Sequence, residues 1–140
     1  MKNTFFDPAE SPPLYAIQGR GGCLEPLVPE GSITYISSEM EPAIGDNVCV
    51  YFRSGVFTEG GNIRHKLLVD VSAETVTLRQ LNPLATVAFE RWAILAIHKV
   101  FAIMTPGRRL WDLRTVASRD HFVRSQLAGR SIDGERMVLP

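Results

Sequence analysis

The sequence carries no net charge, since fifteen lysines and arginines stand against fifteen aspartates and glutamates in 140 residues. That balance excludes a whole-molecule attraction to DNA or to anionic membranes, so either partner would need a local basic patch. Cysteine is scarce, at two residues, Cys23 and Cys49. Neither these nor His65, His98 and His121 show Cys-x-x-Cys or His-x-x-x-His spacing, so no metal and no cofactor is predicted. No apolar run approaches the roughly 20 residues that span a bilayer; the longest candidate, Trp92 to Ile97, is closed by His98 and Lys99. The first ten residues lack the apolar stretch of a signal peptide. The expectation is a cytoplasmic chain with no membrane partner, its cysteines free thiols. Internal repeats and low-complexity tracts are also missing. What remains is 45% apolar content, enough for the core of one domain.

Pattern and breakers predict a mostly β chain. Residues 1–13 hold Asp7-Pro8 and Ser11-Pro12-Pro13 and read as an extended arm, because proline fixes φ and removes a donor. Residues 14–18 suit a short strand. Gly19, Gly21 and Gly22 then demand a tight turn before Cys23. A phosphate-binding loop is not predicted there, since the Lys-Ser/Thr ending is missing. Strands are expected at 32–36 and 47–52, separated by the turn residues Gly45-Asp46. Residues 63–71 are expected to return as a hairpin partner of 47–52. Residues 75–81 alternate with period two and stop at Asn82-Pro83. The long run 92–104 fits a buried strand or a buried helix; its β-branched residues and the Thr105-Pro106-Gly107 break favour strand. Cys49 reads as core, and Trp92 and Trp111 as core or interface anchors.

The tail, 108–140, reads differently. Leu110, Leu113, Val116 and Ala117, then Phe122, Val123 and Leu127, recur at helical spacing, with Gly129 as a stop. One or two helical turns are expected, their arginines and acids forming a solvated face of mixed charge. A direct nucleic-acid role is not predicted, because no clean basic face emerges.

Residues 22–52 carry a further signal: Gly-Cys-Leu-Glu-Pro at 22–26, Pro29-Glu30-Gly31, a strand, Gly45-Asp46, and a second strand. This series resembles the peptidase domain of LexA-like and UmuD-like proteins, the carboxy-terminal domain of SOS and phage repressors. Thr77–Pro83 looks like that family's strand ending in Asn-Pro, and Ile94–Val100 like its last core strand, so the likeness covers roughly residues 17–104. Met40-Glu41-Pro42 also fits the family's Met-x-Pro. It belongs to a loop instead, because Gly45-Asp46 and Val48 come directly after it and match the later part of the pattern. The resemblance implies a β fold of several small antiparallel sheets over 14–107. It places Cys23 at the position of the family's serine nucleophile and Lys66 at that of its lysine base, with His65 as the alternative base. A one-residue slip exchanges the two and turns the chosen side chain to the other sheet face.

The cysteine is the departure from the family. A thiol is partly ionised near neutrality without help, so a Cys23–Lys66 or Cys23–His65 pair would suffice for a cysteine-variant peptidase. The alternative treats Cys23 as a small apolar residue in a domain that has lost catalysis. Only 22 residues precede Cys23, with no helix-turn-helix pattern and no Ala-Gly bond of the kind the family cleaves. The favoured expectation is a phage- or SOS-related regulatory module that does not cut itself. It would act through protein partners or as a homodimer, with an apolar β surface around Trp92–Met104 as the docking face.

Overall fold

The computed structural model describes residues 5–18 and 24–128. Within them lie eight strands and one helix: β1 (Leu14–Gln18), β2 (Ile33–Ser37), β3 (Asn47–Phe52), β4 (Ile63–Val71), β5 (Thr75–Leu81), β6 (Leu84–Glu90), β7 (Ile94–Thr105), β8 (Arg109–Asp112) and α1 (Val116–Leu127). The mostly β class with a short helical tail is what the sequence pattern predicts. The strands join in one antiparallel sheet of order β1-β2-β7-β3-β4-β5-β6, with β8 also on β7.

A single sheet, rather than several small ones, results from the length of β7. Its residues 99–104 pair with β2 on one edge, and residues 94–99 pair with β3 on the other. Ala102 to Thr105 also pair with β8. Because Ala102 and Met104 have partners in both β2 and β8, those strands flank β7 on opposite edges. One twelve-residue strand thus takes three neighbours, which only a long and largely apolar segment can do. This puts most of the expected docking stretch, Trp92–Met104, in a central strand. Residues 94–105 are the middle of the sheet, with Val100 and Ile103 buried, and Trp92 alone stands out, at 63% exposed.

β3 is central too, and all six of its residues are buried. Successive strand residues point to opposite faces, so β3 feeds two cores. Cys49 and Tyr51 join Leu27, Val100, Trp111 and Phe122 on one face. Val48, Val50 and Phe52 join Leu68, Val76 and Leu78 on the other. Leu24, Leu27 and Val28 pack into the first of these cores.

The tail keeps the solvated face expected of it at Arg108, Arg109, Arg114 and Arg124, and in addition docks on the core. Leu110 and Trp111 lie in β8, and the helix starts only at Val116, where Thr115 and Ser118 form a reciprocal cap. Phe122 is fully buried against Trp111, ring centroids 5.4 Å apart. Arg119 is also buried. Its guanidinium donates to Asp46 Oδ1 at 3.2 Å and to the Ile44 carbonyl at 2.9 Å, while Lys99 Nζ lies 3.3 Å from Asp46 Oδ2. The Gly45-Asp46 turn is shaped for this contact. Gly45 has φ +94, and a β-carbon there would lie 2.7 Å from Arg119. The predicted stop Gly129 lies outside the described residues.

The amino-terminal segment is tied to the sheet by one side chain. Asn62 accepts from the Phe6 amide and donates to the Phe6 carbonyl, both at 2.8 Å. It also donates to the Phe52 carbonyl at 3.1 Å. A short 3-10 turn at Pro8–Glu10, capped by Asp7, then leads into β1.

Candidate functional site

Register decides how the two candidate bases relate to the cysteines. On the β3–β4 ladder Cys49 faces His65 and Val48 faces Lys66; on the β3–β7 ladder Cys49 faces His98. Directly paired residues share a face, so His65, Cys49 and His98 form a row across three strands. Lys66 points the opposite way, with Val48, and donates to Gln80 Oε1 at 2.8 Å. The first described residue after the predicted nucleophile, Leu24, belongs to the core on the Cys49 face. Cys23 itself lies outside the described residues. Of the predicted site residues, the structure therefore brings His65, and not Lys66, to the face that carries a thiol, and that thiol is Cys49.

Two tyrosines extend the row. Tyr51, two residues from Cys49 in β3, donates to the Tyr15 hydroxyl oxygen at 2.7 Å. The Tyr15 hydroxyl lies 2.7 Å from His98 Nδ1 and 3.9 Å from Cys49 Sγ. It has one proton to give, and Cys49 Sγ is in range to accept it. The His98 ring also packs on Tyr51, centroids 4.9 Å apart. His65 Nε2 lies 2.9 Å from Asn47 Oδ1. Hydrogen bonds thus link Tyr51, Tyr15, His98 and Cys49 in one network.

The electrostatics are uniform across this network. Burial pushes the Cys49 thiol up to about 12, and burial likewise raises both Tyr15 and Tyr51. Burial lowers His98. Burial, assisted by the Lys66 charge, lowers His65 to about 4. Desolvation disfavours the charged form of every one of these groups, so all five are neutral at pH 7. A nucleophilic cysteine needs the thiolate, and burial holds the Cys49 thiol protonated. The arrangement suits binding through hydroxyl, thiol and imidazole dipoles. Among the described residues no group of three or more His, Cys, Asp or Glu is arranged to hold a metal ion.

The network opens onto a cavity of about 770 Å³ lined by Tyr15, Cys49, Tyr51 and His65 on the sheet side. Phe5, Phe6, Asp7 and Glu10 of the amino-terminal segment form another wall. Reading the sequence alone missed Tyr15, Tyr51 and this wall. Alternation in β3 does put Cys49 and Tyr51 on one face, but which strands flank β3 is not written in any local pattern. Compared with protein-family models, with curated proteins and with solved structures, the chain matches none.

Proposed function

We propose that this chain is a LexA-like regulatory module that works by binding a protein partner and does not cut peptide bonds. The observation that carries the reading is the Cys49 thiol, which is buried and held protonated. The β3–β4 register puts Lys66 on the opposite sheet face from Cys49, where its amine donates to Gln80.

A surface for the partner is available at the sheet edge. β6 is the terminal strand. Its sequence Leu-Ala-Thr-Val-Ala-Phe has no charge before Glu90, and Leu84 and Val87 are each 46% exposed. Natural edge strands are normally blunted by lysine, proline or a bulge, and β6 has none of these within it. Regulatory function in SOS or phage circuits is the proposal that the resemblance adds. The test is incubation of the intact chain with casein and with itself, followed by mass spectrometry, for the native protein and for Cys23→Ala and Lys66→Ala. No cleavage in any sample is expected. Cleavage that disappears in both variants would replace this reading with the cysteine-variant peptidase.

A further inference from the structure

We propose that the cavity between the amino-terminal segment and the sheet binds an amphipathic amine, its apolar body inside and its positively charged head at the mouth. The volume, about 770 Å³, lies within the range of roughly 300–1,000 Å³ typical of small-molecule sites. Its apolar lining comes from Phe5, Phe6, Ile17, Ile36, Ile63 and Val100. The polar groups inside it, Tyr15, Tyr51, Cys49 and His65, belong to the neutral network described above. Such an interior accepts an alkyl or ring body and gives a charged head no counterion, so the head must stay near solvent.

Charge at the mouth selects the head. Among the described lining residues only Asp7 and Glu10 bear charge at pH 7, and both are exposed. The charge of the described lining is thus wholly negative, which attracts an ammonium group and repels a carboxylate, even with one Asp7 oxygen accepting from the Ala9 amide. Their position is held, because Asn62 binds both the amide and the carbonyl of Phe6. The wall that carries the acids is thus already in place before a ligand arrives, which lowers the ordering cost of binding. Amine binding here is independent of the family resemblance and of whether the chain cleaves peptides.

The test uses the intact chain and Nile red, an uncharged probe whose fluorescence rises in an apolar site. Decylamine, decanol and decanoate share one tail, and each is titrated as a displacer below its micelle concentration. Decylamine is expected to displace the probe at concentrations at least tenfold below decanoate, with decanol between them. The double variant Asp7→Asn, Glu10→Gln, altered only at exposed positions, should bring decylamine to the potency of decanol. Ile63→Trp, which fills the cavity, should abolish the Nile red signal. Absence of a Nile red signal, equal potency of amine and carboxylate, or an unchanged amine preference in the double variant overturns the proposal. So does probe binding by Ile63→Trp at native melting temperature.

Discussion

His65 is the residue at which pH acts most directly on this protein. Burial and the Lys66 charge lower its imidazole to about 4 from an ordinary 6.5. Between those values the unfolded chain binds a proton that the folded chain refuses, so stability rises with pH across the window. The contribution is therefore present in full above about pH 6.5 and lost as pH falls toward 4; at about 1.4 kcal/mol per unit it amounts to roughly 3 kcal/mol. His98 is lowered as well and works in the same direction. Thermal melts at pH 7 and 4.5 should show the loss, and His65→Gln should show a smaller one. Cys49 makes a second prediction at this scale. A buried thiol raised to about 12 is almost entirely protonated at pH 8, and the thiolate is the reactive form. Alkylation at Cys49, followed by peptide mapping, should run more than about a hundredfold slower in the folded protein than in urea. A rate within tenfold of the unfolded value would contradict the burial argument.

At the scale of elements, α1 is held to the sheet by an ion cluster as well as by Phe122. Asp46 is shared between Lys99 and Arg119, and all three residues are at most 8% exposed. Asp46→Ala removes the carboxylate that Lys99 contacts and leaves Arg119 with the Ile44 carbonyl and the more exposed Asp120. Breaking a buried pair in this way typically costs about 3–5 kcal/mol. Denaturation in urea should show a loss of that size, and hydrogen exchange should show α1 opening first. Gly45→Ala acts on the same joint from the backbone. It forces a side chain into φ +94 and against Arg119, and strain of this kind costs on the order of 1–3 kcal/mol. Both variants should loosen α1, with Asp46→Ala the more severe. An effect confined to the amino-terminal segment would argue against this joint.

For the whole molecule, the sheet closes on neither side: β1 and β6 are its ends. The apolar, uncharged β6 edge is where a partner strand would add most readily. Val87→Lys puts a charge at the middle of that edge, at a site already 46% exposed, so the fold should tolerate it within about 0.5 kcal/mol. If β6 carries self-association, sedimentation equilibrium should show the native chain associating at least tenfold more tightly than Val87→Lys. Equal behaviour of the two would place any interface elsewhere. Trp92, 63% exposed and next to the end of β6, is positioned to extend the same surface.

The linear order of residues determined the class of this protein and most of its strands. Period-two alternation at 75–81, the breaks at Gly45-Asp46 and Asn82-Pro83, and the β-branched run before Pro106 are local signals, and the backbone reads them locally. β6 and β8 escaped that reading. β6 begins after only Asn82-Pro83, and β8 is four residues whose Leu110 falls with Leu113 at a spacing that also suits a helix. The site was far less legible. Cys49, His65 and His98 are 16 and 33 residues apart in the sequence, and only the pairing of β4, β3 and β7 makes them neighbours. Register also put His65 on the Cys49 face and Lys66 on the other, since adjacent strand residues point to opposite faces of the sheet. Burial, which no single residue specifies, then set every group of the network neutral. Tertiary structure alone decided that this thiol sits in a polar but uncharged cavity wall, because desolvation depends on everything packed around it.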